Sequence, residues 1–566
     1  MKELSKPQKA RAAIAGFKTL ADSVILRGMY WASGATGRKL ENTLLQLNPE
    51  IYGSMEDPRI VELKGLEYVI DRLPRGIELC NRLVLTALED LDGTSFAEII
   101  PPKRRRLSYR VSETEICFVI TRGKTEIYDL LTHLTFLNIE ARNIAAKNLT
   151  GDELTREWKE LCRLVEANQD PSGEDLDQAL WNLSIILGRT YRETQQTYEY
   201  LEKNRARGHN NGLFRIIHAL GKRFSAERDG SEDGLSVSIT PSLQEILGHH
   251  RYAAQWAESV VKALVERDLH GRPIHIISAN LHSFKNTLFG KGALAKKRIT
   301  VPKDLFQMVH LIRDKDVDVG TYAVQYGYFE HKDTSGSNID VQIIDTKQIE
   351  KACLHPDLEV DFAFLNQSEA VLLVIDYAFG AQAYEIMDEL LCPTNPDESV
   401  AGIVSLDIRS ISIMGKAGTL PGKKGDIMLA TAHVMEGTPH NYIFDNDLTP
   451  ADFCGKSTVF CGPMVTVLGT SLQNRDVLQK FHESDWRAVG LEMEGGHYQR
   501  AINAAIIQGH IPKDMKIRYA YYASDNPLIS GETLASGPMG AEGVVPTYLI
   551  TKVIIEKIFG GDEGRE

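Results

Sequence analysis

Val489-Gly490-Leu491-Glu492-Met493-Glu494-Gly495-Gly496 is the stretch on which the fold turns. A short apolar run arrives at two acids separated by a methionine, and two glycines then open a segment, Glu494 to Gln508, with helical apolar spacing. A strand that hands directly to a helix at a pair of carboxylates points to an α/β domain whose strand ends carry chemistry. If the strand continues through the acids, alternation puts Glu492 and Glu494 on one side. Carboxylates beside an apolar run are costly unless they accept hydrogen bonds. A sugar diol offers such donors, and so does the start of the following helix, so substrate binding and helix capping both fit.

Working outward, the same alternation recurs. Short β-rich runs lie at Ile274–Ile277, Val371–Ile375, Ile427–Ala430 and Val465–Leu468, with helical stretches such as Ala381–Leu391 between them. Residues 237–566 are therefore expected to form one α/β domain with a mixed central sheet flanked by helices. From Pro7 to about Phe224 the text reads instead as helices, for example Ile127–Leu137 and Asp175–Lys203. The polar, glycine-containing run Ala226–Gly234 separates the two regimes. The expected organisation is a separate all-helical domain over 1–225, for which no role is recognised, a linker over 226–236, and the α/β domain.

At 566 residues the chain is too long for one ordinary core, so two or three domains are expected. Lys plus Arg number 64 against 77 for Asp plus Glu, a formal charge of −13. That balance argues against nucleic acid as a partner, which needs a clustered cationic excess, but leaves room for a small anion held by a local basic group. Lys103-Arg104-Arg105-Arg106 is the one compact basic cluster and reads as a solvated loop after Pro101-Pro102. Ser33-Gly34-Ala35-Thr36-Gly37-Arg38 has a phosphate-friendly composition without P-loop spacing, and is expected as a loop between two helices. Met1–Leu20 has no apolar core of a signal peptide, and no run approaches 18 apolar residues, so no membrane partner is expected. Seven cysteines without a C-x-x-C pair fit reduced thiols in a cytoplasmic protein, with no metal site.

Two further constellations share the last 200 residues or so with the first. Ile413-Met414-Gly415-Lys416-Ala417-Gly418-Thr419, ahead of Gly425–Ala430, reads as a strand ending in a glycine-flanked turn that carries a cation. Glycines let N–H groups converge on an anion and Lys416 adds a point charge, although a tight turn with a solvated lysine also fits. Ala520-Tyr521-Tyr522-Ala523-Ser524-Asp525-Asn526-Pro527-Leu528, closing with Gly531-Glu532, delivers an acid at another strand end. Asp525 fits either a ligand site or a plain turn or N-cap.

In this order the three segments resemble the nucleoside phosphorylase and nucleosidase superfamily, and Ser524-Asp525-Asn526-Pro527-Leu528 is similar to the Ser-Asp-x-Pro-Leu stretch of AMP nucleosidases. Asp376-Tyr377-Ala378-Phe379-Gly380-Ala381-Gln382-Ala383 sits where that superfamily has its first glycine loop. Gly415-Lys416-Ala417-Gly418 resembles its Gly-x-Cys-Gly turn, Glu436-Gly437-Thr438 an Arg-x-Glu-Gly-Thr segment, and His250-Arg251-Tyr252 a stretch ahead of the AMP nucleosidase core. The resemblance covers roughly Val237 to Phe559 and none of the first 225 residues. Two departures bear against phosphorolysis: the first loop lacks the arginine that phosphorylases use on phosphate, and Val434-Met435 replaces the arginine before Glu-Gly-Thr. The second also weakens recognition of a 5′-phosphate.

The resemblance implies hydrolysis of the N-glycosidic bond of a purine nucleotide or nucleoside, by water and without a cofactor. It makes Asp525 the general acid toward the purine N7, positioned by Ser524. Glu494 would hold the 2′- and 3′-hydroxyls with Met493 packed on the sugar, and Glu492 would orient the water or support the sugar. The base would lie against Gly462-Pro463-Met464-Val465, so Met464 and Val465 line the site. Phe379, Gly380, Gly415, Lys416, Gly418 and Thr438 complete the implied binding set. Two alternatives stay open: a purine nucleoside phosphorylase using Lys416 and Arg409 for phosphate, and a non-catalytic purine nucleotide sensor. By the same resemblance the chain is expected to be a homo-oligomer.

Overall fold

The computed structural model describes residues 4–103, 106–150, 153–168, 170–228, 234–395, 402–453, 455–529 and 540–560. The chain forms two compact units, the first made of Met1–His249 with Leu468–Val477, the second of His250–Val467 with Leu478–Glu566.

In the first unit, strands β1 (Met29–Trp31), β2 (Arg82–Thr86), β3 (Ala97–Glu98), β4 (Ser108–Arg110), β5 (Glu115–Val119) and β8 (Ser236–Ile239) make a mixed sheet in the order β1-β8-β2-β5-β4-β3. A separate two-stranded sheet pairs β6 (Leu149–Thr150) with β7 (Glu153–Leu154). The helix Gly123–Ala145 is buried over most of its length. Several of its polar side chains are matched: Asp129 accepts from Arg106, and Asn138 and Arg142 both donate to Glu41. Residues Leu468–Val477 are tied into this unit. Ser471 Oγ donates to Asp129 at 2.9 Å, and Asn474 Nδ2 to the Leu47 carbonyl at 2.8 Å.

These observations correct several expectations. The first 225 residues are not all helical, because they supply five strands of the sheet. Those strands run from two to five residues between long helices, too short for a period of two to stand out. The break between units falls at His249/His250 rather than at 225–237, since β8 pairs with both β1 and β2. Of the expected linker, residues 229–233 lie outside the described residues, and 234–236 lead directly into β8. The basic cluster is not solvated throughout: Arg106 is buried against Asp129, whereas Lys103 is exposed, with its Nζ 2.7 Å from Asp71. Arg104 and Arg105 lie outside the described residues. Ser33–Arg38 joins a strand to a helix, with Gly34 as the N-cap of Ala35–Leu47.

The second unit carries the expected mixed sheet. Its strands are β9 (Ile274–Ser278), β10 (Tyr328–His331), β11 (Val341–Asp345), β12 (Val371–Ile375), β13 (Ile408–Thr419), β14 (Ile427–Met435), β15 (Asn441–Ile443), β16 (Val459–Thr466), β17 (Gly490–Glu492) and β18 (Lys516–Asp525). They run in the order β10-β11-β12-β9-β13-β17-β16-β14-β15, and β18 pairs with both β13 and β14. β13, β17, β16, β14 and β18 thus close a ring, and β9 to β12 extend from it as an open sheet. β12 explains why the sheet is covered on both faces. Val371, Leu373 and Ile375 belong to one apolar cluster, while Leu372 and Val374 belong to the other.

Parallel pairing sets where the loops gather. β12 runs parallel to β9, β9 to β13, and β13 to β18. The loop that follows β12 and the carboxy-terminal ends of β13 and β18 therefore lie at one edge of the sheet, where α/β folds place ligands.

Candidate functional site

β17 delivers its two acids in different directions. The strand stops at Glu492, and Glu494 already has helical ψ (φ −119°, ψ −31°) as the residue before the helix Gly495–Gln508. The side chains therefore do not share a strand face as alternation suggested.

Glu492 is 3% exposed and its oxygens are occupied. Oε2 accepts from the N–H of Glu494 at 2.5 Å and from the N–H of Gly495. Oε1 accepts from Thr466 Oγ1 and lies 3.3 Å from His433 Nδ1. Thr466 Oγ1 in turn accepts from the N–H of Gly496 at 3.0 Å. The helix start is thus capped by Glu492 and Thr466 together, the capping alternative rather than the sugar-binding one. Burial raises the Glu492 pKa, but His433, Thr466 and the Gly495 N–H outweigh it and hold the carboxyl below its usual value.

His433, on β14, is wholly buried, stacks on Phe444 with ring centroids 5.4 Å apart and meets Tyr519 edge to face at 4.6 Å. Tyr519 and Tyr521 project from alternate positions of β18, and both phenol pKa values rise well above normal through burial and then the neighbouring Glu492. A Cβ on Gly495 would overlap His433 Cε1 and the Tyr521 hydroxyl, so only glycine starts this helix. Gly495→Ala is expected to destabilise the protein by about 1–3 kcal/mol, as overpacked sites do. Denaturant unfolding checks this, and an unchanged midpoint would mean that the cluster yields to the added methyl. The sequence reading passed over His433, Thr466, Tyr519 and Tyr521. The available signal was a lone histidine in an apolar strand and two tyrosines spaced by two.

Glu494 turns toward the loop after β12. Its Oε1 accepts from the N–H of Gly380 at 2.9 Å, where Gly380 has φ +56°. Other amides of this loop are also engaged. Tyr377 N–H donates to Asp376 at 2.8 Å and Phe379 N–H to Gln382 Oε1 at 3.2 Å. The ring of Tyr377 lies over Gly415, where a Cβ would meet it at 3.7 Å. Gly380, Glu494 and Gly415 are thereby brought to one place.

Asp525 ends β18 and is 0% exposed. Between Ala417 and Gly418 the ladder with β13 slips by one residue, pairing Ala417 with Ala523 and Gly418 with Asp525. Ser524 is the extra residue of a β-bulge, a device that re-aims the side chain beside it. Ser524 Oγ lies 2.5 Å from Asp525 Oδ1 and 3.2 Å from the Ala417 carbonyl. Asn526 fixes the exit from the strand, donating to the carbonyls of Leu420 at 3.1 Å and Gly422 at 2.9 Å. Gly418 allows the approach of Leu491, whose Cδ2 would lie 2.7 Å from a Cβ there. From Gly415, beside the Glu494 group, to Gly418, beside Asp525, is about 10 Å at strand rise.

The remaining candidates fall elsewhere. Gly415-Lys416-Ala417-Gly418 is not a turn but the inside of β13, which continues to Thr419, and Lys416 is exposed on it. Arg409 is exposed at the other end of β13 and pairs with Asp407 at 2.8 Å, about 30 Å along the strand from Gly418. Met464 and Val465 are 0% exposed, and Met464 sits in the apolar cluster rather than on a ligand surface. Met493 is 8% exposed. Thr438 is half-buried in the turn after β14, with Oγ1 3.0 Å from His440 Nδ1. Gly531 and Glu532 lie outside the described residues.

A model of DUF6909, described as a family of unknown function, matches residues 38–302 and 306–560. Nothing among curated proteins matches. Among solved structures, the 5′-methylthioadenosine/S-adenosyl homocysteine nucleosidase of Campylobacter jejuni is similar at 12% identity over 51% of this chain and 99% of its own, with a TM-score of 0.30. Futalosine hydrolase of Helicobacter pylori is similar at 10% identity over 51% and 98%, with a TM-score of 0.29. The nucleosidase of Colwellia psychrerythraea, in complex with adenine, is similar at 13% identity over 51% and 95%, with a TM-score of 0.28. Likeness at this level gives no residue of this chain a role.

Proposed function

We propose, for a chain that belongs to DUF6909 and so inherits no activity from its family, that the second unit hydrolyses the N-glycosidic bond of a purine nucleoside or nucleotide. The observation that carries this reading is Asp525, a carboxyl wholly removed from water at a bulged strand end with a serine hydroxyl on it. A carboxyl held in one orientation at a strand end, out of bulk water, is the kind of group that general-acid catalysis uses. The resemblance of its Ser-Asp-x-Pro-Leu setting to AMP nucleosidases supports the same role.

Cleaving the bond between C1′ and the base nitrogen develops positive charge on the ribose and negative charge on the purine. Asp525 donates a proton to the purine N7, and the bonding electrons leave with the base. A water oxygen bonds to C1′ and its proton returns the Asp525 carboxylate to the acid. Glu494, held by the Gly380 N–H beside Gly415, accepts hydrogen bonds from the ribose hydroxyls, while Asp525 meets the base beside Gly418, three residues or about 10 Å further along β13. Glu492, by contrast, serves as the helix cap.

Water is favoured over phosphate as the nucleophile. The amides of Tyr377, Phe379 and Gly380 have acceptors within the protein, as do those that open the helix Gly495–Gln508. Neither is left to cradle an anion. Lys416 and Arg409, the cations a phosphorylase would need, lie exposed on β13.

Incubation of the full chain with a panel of purine nucleosides and nucleotides, with and without phosphate, tests this by chromatography of the free base. Release without phosphate is expected; release only with phosphate, or tight binding without release, would refute hydrolysis. Glu494→Gln is expected to raise KM and lower kcat together, by about 10–100-fold in kcat/KM, since a carboxylate on a diol acts in both ground and transition states. An unchanged KM would remove Glu494 from sugar binding.

A further inference from the structure

The first unit contains a cavity of about 650 Å³, within the range of small-molecule sites, and its charge is opposite to that of the protein as a whole. One wall is a single face of the helix Leu213–Arg228. Arg215, His218, Ala219, Lys222 and Arg223 line the cavity, spaced by three and four residues as one helical face requires. The opposite face, Leu213, Ile216, Ile217 and Leu220, is wholly buried apolar core. The helix is thus fixed by its apolar side and presents its cations to the hollow.

The facing wall comes from Glu78, Cys80, Asn81 and Thr114, with Asn168 and Asn211 beside them. Three permanent cations meet a single acid, in a chain of formal charge −13. That acid is already engaged, since Glu78 Oε1 accepts from Asn211 Nδ2 at 2.6 Å. Two of the cations, Lys222 and Arg215, are weakly matched. Lys222 has Glu166 at 3.8 Å with both side chains more than half exposed, and Arg215 bonds the neutral Asn168 at 2.9 Å with Asp170 at 3.8 Å. His218 is 8% exposed, and its Nε2 is buried without a hydrogen-bond partner among the described residues. A buried polar atom left so is costly unless something completes it. Burial, and then Lys222, pushes the His218 pKa down to about 4, so the ring is neutral near pH 7 and has one nitrogen to donate and one to accept. Burial pushes the Cys80 thiol up to about 12, which leaves it unreactive and turns the reading from thiol chemistry toward binding.

We infer that this cavity binds a phosphate-bearing small organic molecule, its phosphate against Arg215, Lys222 and Arg223, its body along Leu79, Val165 and Ala219. The asparagines and Thr114 supply the hydrogen-bonding groups that would orient that body. The inference is independent of the reaction proposed for the second unit.

Phenyl phosphate is the probe. Trp158 stacks on His218 with ring centroids 5.8 Å apart, so occupancy beside His218 should alter tryptophan emission. With the full chain, saturable binding of phenyl phosphate is expected by calorimetry and by fluorescence, weakening as salt is raised. Benzyl alcohol, which lacks the charge, should bind at least tenfold more weakly. Arg215→Gln and Lys222→Gln remove partly exposed side chains and should leave the melting temperature near that of the parent. Each is expected to raise the Kd about tenfold. Trp158→Phe should abolish the emission change while calorimetric binding persists. Absence of saturable binding, equal affinity for benzyl alcohol, or a Kd indifferent to both substitutions would overturn the inference.

Discussion

Asp525→Asn is expected to lower the rate of base release by about 10²–10⁴-fold while leaving ligand affinity nearly unchanged. Asparagine keeps the volume of the side chain and can still meet Ser524 Oγ, which lies 2.5 Å from Asp525 Oδ1. It removes only the transferable proton. Because Asp525 is 0% exposed, its replacement introduces no new contact with water that could alter the rate indirectly. A helix cap or turn role predicts a different outcome, a loss of about 0.5–2 kcal/mol in stability with normal turnover. Steady-state kinetics on the preferred nucleoside, alongside an unfolding curve for each protein, separates the two. An asparagine variant that melts early but turns over at the parental rate would take Asp525 out of the mechanism. Ser524→Ala is a useful companion, since it deletes the orienting hydroxyl and keeps the acid.

The outcome at β17 and β18 marks how far the sequence could be read. The strand runs, the mixed sheet and the two strand-end acids were legible, because apolar runs bounded by glycine and acid report burial and chain reversal directly. What a strand end does next was not. Glu492 and Glu494 are two residues apart, yet the backbone leaves the strand between them, so period-two reasoning failed at the position where it mattered. The bulge at Ser524 depends on the register of β13 against β18, a long-range pairing that no local window contains. Lys416 misled for the same reason. Glycines on both sides suggested a turn, whereas Gly418 is there to admit Leu491 from β17. In the first unit the strands of two to five residues were lost among helices, and β8 fell on the wrong side of the expected boundary because its partners, β1 and β2, lie far earlier in the chain.

Glu492→Gln is expected to cost about 1–3 kcal/mol of stability, the penalty for leaving a buried donor without its acceptor. The carboxylate accepts from the N–H groups of Glu494 and Gly495 and from Thr466 Oγ1, with His433 Nδ1 at 3.3 Å. An amide turned either way places its own N–H₂ against donors on one side. At least one backbone N–H or the threonine hydroxyl then loses its acceptor, at a depth that water cannot reach. The pH dependence follows from the same contacts. Burial alone would raise the Glu492 pKa, but the donors around it hold the folded value below the unfolded one, near 4.3. A carboxylate shifted in that direction contributes stability that is fully present above the unfolded pKa and is lost as pH falls through the folded value. The parent protein should therefore lose stability below about pH 4 more steeply than the glutamine variant. Denaturant unfolding of both proteins across that acidic range measures the difference. Because the cap also fixes the start of the helix that follows Glu494, the variant should lose turnover through that acid's position. Glycerol or another stabilising cosolute should then restore its fold without restoring its rate. A glutamine variant with parental stability and an unchanged acid limb would mean that the helix start is held by Thr466 alone.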